Sequence, residues 1–163
     1  MGKIGIVVFA FGSPSQIKSN VILAKIAVKK AKELNAPIFT QRDIVISEMN
    51  VEYIEEKDKP PSTWKIAQAA VAWAIKNGIT EEIVVAAQPH LSRVLRDMRR
   101  AAQEYGVKIG VEVAEDIFLY SDTDWFCTNS IQLWTRKRFF GKIRETVLLH
   151  LPFPIYKIIS RLR

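Results

Sequence analysis

The stretch Ile83–Gly106, IVVAAQPHLSRVLRDMRRAAQEYG, carries the residues best suited to chemistry. His90 and Arg93 are three apart, a spacing that puts two side chains on one face of a helix. A neutral imidazole beside a guanidinium can bind an anion, and the imidazole can act as a general acid or base. In that reading His90 is the catalytic group and Arg93 the anion clamp. The plainer reading is a histidine packed at a helix start and an arginine neutralising a surface carboxylate. Gln88, two residues before His90, is a further ligand-binding candidate. Gly12-Ser13-Pro14-Ser15 forms a second group. Backbone N–H groups at Gly12, Ser13 and Ser15 suit a phosphate or carboxylate beside a helix N-terminus, although a plain turn has the same composition. Ser62 and Thr63, after Pro60-Pro61, offer two hydroxyls at a helix start, and Gln41 and Asp43 are polar candidates behind a short strand.

These groups need elements to hold them. Ile4–Phe11, IGIVVFAF, is a short apolar run that reads as a buried strand. The loop 12–20 follows, with Ser19 or Asn20 as helix cap, and a helix from Val21 to Leu34 shows a lysine-rich outer face. Ala36–Thr40 reads as a strand that Asp43–Ile46 continues or pairs separately, while Val51–Lys59 is charged and ambiguous. Ser62 or Thr63 caps a helix that runs to Asn77 and stops at Gly78. Glu82–Ala87 is the next strand, and the helix bearing His90 runs to Tyr105 and stops at Gly106. A fourth strand spans Val107–Val113, and an acidic, aromatic loop spans 115–129. Helical character returns over Ile131–Leu149, is interrupted by Pro152 and Pro154, and resumes in a basic tail helix over Ile155–Leu162. Strands alternating with helices predict an α/β fold: three layers, a doubly wound and mostly parallel sheet, Rossmann-like. Residues 1–163 form a single domain in this reading, with a basic helical C-terminal tail from about 131 to 163. In such sheets ligands bind at the carboxyl ends of the strands, where all three candidate groups fall.

Composition removes several classes. Cys127 is the one cysteine, which excludes a disulfide scaffold and a zinc finger; beside Trp125 and Phe126 it reads as a buried, inert thiol. The dinucleotide fingerprint and the P-loop are absent, and no nucleophile elbow supports a hydrolase triad. Glu115, Asp116, Asp122 and Asp124 lack calcium-loop spacing and read as a solvated loop, so no metal site is expected. The net charge of +7 speaks for anions as partners. Arg96, Arg99 and Arg100 read as a solvated helix face, and specific nucleic-acid binding is not expected.

Ser62-Thr63, a helix, a strand, then Gln-Pro-His90-Leu-Ser-Arg93 resembles the second half of the YdcF/SanA/ElyC-like domain family over about Ser62 to Val113. The resemblance implies a divergent member of an uncharacterised α/β family with a pocket at strand ends. It departs from the family pattern at Phe11-Gly12-Ser13, at Thr40-Gln41-Arg42-Asp43 and at Lys59-Pro60-Pro61. More weakly, VVFAFGSPSQIKSN is similar to the opening of sirohydrochlorin-chelatase-like proteins, where a strand leads to His-Gly-Ser; here Phe11 holds the histidine position.

The resulting expectation is a pocket near His90 and Arg93 that takes a small anionic or nucleotide-like ligand, with no cofactor assigned. The alternative is a non-catalytic interaction module that docks on a membrane surface or a partner through its basic tail. Oligomerisation through the C-terminal helices stays open. With no signal peptide and no apolar membrane span, a cytoplasmic location is expected.

Overall fold

A computed structural model of the chain describes residues 2–55 and 61–161. Pro60 of the Pro60-Pro61 break, residues 56–59 of the charged segment before it and the last two residues of the tail lie outside the described residues. The strands are β1 (Lys3–Phe9), β2 (Ile38–Thr40), β3 (Val51–Tyr53), β4 (Ile79–Ala86) and β5 (Gly110–Val113). They form one sheet in the order β3-β2-β1-β4-β5, parallel at every pairing. The helices are α1 (Lys18–Leu34), α2 (Thr63–Asn77), α3 (Gln88–Glu104), α4 (Asp122–Trp125), α5 (Leu133–Arg136), α6 (Arg138–His150) and α7 (Phe153–Arg161), with a 3-10 turn at Glu115–Leu119. The expected doubly wound α/β architecture is what the chain adopts, with every strand pair parallel rather than most.

The order reverses at β1, from which the chain moves one way to β2 and β3 and later the other way to β4 and β5. Right-handed crossovers then put α1 on one face and α3 on the other. The two buried clusters follow this division. Ile6 and Val8 of β1 pack with Leu23, Ile26 and Ala27 of α1 on one side, and Val7 and Phe9 pack with α2 and α3 on the other. A central strand covered on both faces has no solvent side, which is why IGIVVF is continuously apolar.

Several segments differ from their sequence reading. Asp43–Ile46 is a loop, not a strand; Ile44 and Ile46 are buried from it by turning inward. The third strand is instead Val51–Tyr53, whose side chains are exposed or half-buried because it lies on the sheet edge. Ser19 and Asn20 do not cap α1. Its cap is Ile17, and both polar residues are buried inside the first turn. The acidic loop is partly helical and ion-paired rather than simply solvated. Asp116 pairs with Lys29 and Lys30, Asp124 with Lys18, and Asp122 with Arg138 and Lys142. These pairs staple the segment to α1 and α6 while Trp125 is buried beneath. Ser62 caps α2 as expected, accepting from Lys65 N, and Gly78 ends it at φ 65°. Cys127 is buried, as expected. No helix among the described residues is long and apolar enough to cross a membrane.

Candidate functional site

A cavity of about 440 Å3 opens at the carboxyl ends of β1 and β4. This is the point where strand order reverses, the usual ligand crevice of an open α/β sheet, and the volume suits a small molecule. Ala10, Phe11 and Gly12 enter from the β1 end, Gln41 from the β2 end, Ser62 and Thr63 from the start of α2, and His90 and Arg93 from α3. The tail closes the other side with Trp134, Arg144, Glu145 and Tyr156.

Arg93 is the hub. Its Nε donates to Glu145 Oε2 at 2.7 Å and its Nη2 to Oε1 at 3.0 Å, a bidentate pair buried between α3 and α6. Nη1 donates to Thr63 Oγ1 at 2.8 Å and to the Tyr156 hydroxyl at 3.1 Å. The second Nη2 proton faces His90 Nδ1 at 3.0 Å. Four of the five N–H groups of the guanidinium therefore meet oxygen acceptors, and the fifth lies against the His90 ring. Arg93 is not the anion clamp expected of it; it fixes three helices around the cavity.

His90 lies in the first turn of α3, its ring 5.9 Å from that of Phe11. Phe11 thus packs on the candidate acid/base. His90 Nδ1 is 3.0 Å from Glu145 Oε2, and Nε2 is 3.4 Å from Thr63 Oγ1. Thr63 Oγ1 already accepts from Arg93, so its own proton is available to Nε2. The ring proton then sits on Nδ1 and is donated to the carboxylate, the stronger of its two neighbours because it is charged. Hydroxyl, imidazole and carboxylate stand in series along one wall. Burial holds His90 below its usual pKa, with Arg93 adding to the effect and Glu145 opposing it. Glu145 also pairs with Arg93 and Arg144. Glu145 itself is held below the ordinary carboxylate range: burial opposes this, but the His90 and Arg93 donors outweigh it. The result at neutral pH is an ionised Glu145 and a neutral imidazole.

Behind Arg93, Tyr156 donates its hydroxyl proton to Asp97, which is fully buried on α3. Burial pushes the Tyr156 phenol up to about 12 and raises the Asp97 carboxyl. Arg96 is not part of a solvated face. It pairs with Asp97 at 2.9 Å, caps the carbonyls of Leu148 and Leu149 at the end of α6, and stacks 4.2 Å above the Tyr156 ring. Arg99 and Arg100 are exposed as expected.

Comparison with protein-family models, curated proteins and solved structures finds no match to this chain.

The candidate residues divide accordingly. Gly12, Ser62, Thr63, His90 and Arg93 line the cavity, whereas Ser13, Ser15 and Gln88 do not. Ser15 borders a separate depression beside α1, and Gln88 is exposed at the first turn of α3. In the 12–15 loop the Ser13 N–H is already taken, as is that of Phe11 just before it. Phe11 N is taken by Asn20 Oδ1 at 3.0 Å and Ser13 N by Ser130 Oγ at 3.4 Å, while Asn20 Nδ2 donates to the carbonyls of Gly12 and Pro14. Gln41 does reach the cavity, accepting from Ala10 N and donating to Asp43.

Glu145, Tyr156 and Asp97 went unread in the sequence. Asp97 had a signal: it is four residues past Arg93 on the same helical stripe as His90. Glu145 had another, as the one acid in residues 131–163.

Gly12 fixes the loop where the cavity begins. Its φ is 99°, and a Cβ there would lie 2.7–2.9 Å from Thr135 Oγ1, Ser130 Oγ and Ile17 Cδ1. Gly12→Ala is expected to lower stability by about 1–3 kcal/mol through backbone strain and crowding together. Urea unfolding measures it, and an unchanged midpoint would contradict this account of the loop.

Proposed function

We propose that this chain is a ligand-binding α/β domain, a divergent one of the YdcF/SanA/ElyC-like type, whose cavity takes a small anionic or nucleotide-like molecule with His90 as acid/base. The observation that carries the reading is the His90 imidazole, held between Thr63 and Glu145 on the wall of the cavity at the strand-order reversal. Preference for an anion follows from the charge of the lining rather than from a clamp. Arg93 and Arg144 outnumber Glu145 there, and in a low-dielectric pocket one excess positive charge carries far more weight than in water. Phe11, Trp134 and Tyr156 supply aromatic surface for a planar group. If a reaction occurs, Nε2 is the atom that takes or gives the proton, and Glu145 fixes the tautomer and steadies the imidazolium that forms.

The test is a thermal-shift panel of inorganic phosphate, nucleoside monophosphates and dicarboxylates on wild type, His90→Gln and Ile66→Trp, the last filling the cavity. A ligand at a hundredfold its Kd stabilises by about 2.7 kcal/mol. That shift should appear in wild type and be lost in both variants. A ligand that stabilises all three equally would rule out this site.

A further inference from the structure

Of the 24 basic residues eight lie in 131–163, against one of the 17 acids. The sixteen of each sign in the remainder cancel, so the whole net charge of +7 resides in the tail. The tail has two faces. Glu145 and Tyr156 point inward to the cavity, and Leu148, Leu151 and Phe153 pack against the α2–α3 side of the core. The outward face of α6 carries Phe139, Ile143 and Val147 at four-residue spacing, and that of α7 carries Ile155 and Ile158. All five are exposed, Phe139 by 70%. Lys142 and Arg138 flank the α6 stripe, sharing Asp122 between them, and Lys137, just before α6, and Arg161, at the end of α7, are exposed.

Exposed apolar residues in rows, bordered by lysine and arginine, are what an anionic lipid surface receives: side chains sink to the acyl boundary while the cations meet headgroups. The geometry points to α6 and α7 as a peripheral docking face for an anionic bilayer, seated through Phe139, Ile143, Val147, Ile155 and Ile158. Charge complementarity selects this occupant. A second copy would bring the same excess of positive charge against the first. A nucleic acid would use the cations and leave the apolar rows in water. The proposal is independent of the cavity's ligand, because the seating residues lie on the opposite side of the helices from Glu145 and Tyr156.

Co-sedimentation of the full chain with vesicles of phosphatidylcholine and phosphatidylglycerol, against phosphatidylcholine alone, tests it. Wild type should bind the mixed vesicles, bind the neutral ones far less, and detach as salt is raised. Lys137→Gln with Arg161→Gln should weaken binding about 25-fold, near fivefold for each cation. Phe139→Ser with Ile143→Ser and Val147→Ser should abolish it with an unchanged far-ultraviolet circular dichroism spectrum. As a second measurement, the new indole emission of Phe139→Trp should be quenched by brominated lipid. Equal binding to neutral vesicles, no binding to the mixed ones, or wild-type binding by the triple-serine variant would overturn the proposal. So would a lipid-free dimer that the serine changes dissolve, which would make a second copy the occupant. Retention on double-stranded DNA that survives the serine changes, without vesicle binding, would overturn it too.

Discussion

Glu145→Ala is expected to destabilise the fold by about 3–5 kcal/mol, the usual cost of breaking a buried ion pair from one side. The size comes from what is left behind rather than from what is removed. Arg93 would keep its charge in a buried site with two of its donors unmet and its carboxylate partner gone. Such a group lacks the escape open to histidine or lysine, because a guanidinium does not deprotonate in proteins. Chemical denaturation with urea gives the number. The control is the double change: once Glu145 is gone, Arg93→Met should cost much less than it does alone, because it deletes the stranded charge. Additive losses would mean that the two residues do not act as a pair. Acid should show the same coupling. Glu145 has its folded pKa depressed below 4.5, so its contribution is complete above that value and fades as pH falls below it. The acid limb of the stability profile should flatten in Glu145→Ala. His90 adds a term of the same sign: its pKa is also lowered on folding, so stability rises as pH climbs toward 6.5 and levels off above it.

The second large effect is a gain. Glu82 is fully buried in β4, between Gly5 of β1 and Val111 of β5, and neither carboxyl oxygen has a partner among the described residues. It shares its strand face with Val84 and Ala86, which belong to the α2–α3 side of the core. Burial pushes its carboxyl up from 4.5 to about 7. The folded state therefore holds this proton more tightly than the unfolded chain does. Stability falls as pH rises from about 5 to 7, and the loss levels off above 7 at about 3 kcal/mol. Glu82→Met keeps the length and removes the charge, so it should stabilise the protein by that amount at pH 8 and progressively less toward pH 5. The difference between variant and wild type isolates Glu82 from the opposing His90 contribution. A difference that is flat between pH 5 and 8 would show that Glu82 does not titrate there. The carboxylate lies away from the cavity lining, so ligand shifts should be unchanged in the variant.

Much of the architecture is legible along the chain because its causes are local. The runs IGIVVF and IVVA are apolar on both faces because their strands are central. Ser62 at one end of α2 and Gly78 at the other mark a helix by backbone chemistry that needs no partner. The alternation of strands and helices then restricts the sheet to the parallel, doubly wound kind. His90 and Arg93 stand out for the same reason, since their spacing places them on one face at a strand end.

What the tertiary structure decided is what each of these residues touches. Arg93 meets Thr63 from 30 residues before it, Glu145 from 52 after it and Tyr156 from 63 after it. No local period relates such positions; their meeting depends on α2, α6 and α7 packing around one end of α3. That packing turns an expected anion clamp into a hub with four N–H groups on protein oxygens and leaves His90 to face the cavity. It also makes a strand of the charged Val51–Tyr53, because an edge pairing asks only for backbone groups, and a loop of Asp43–Ile46, because its two isoleucines reach the core without one. The sequence by itself determined the layers and the helix that holds His90. Packing between distant faces determined which side chains complete the site, because a buried guanidinium is stable only where a carboxylate and further acceptors converge on it.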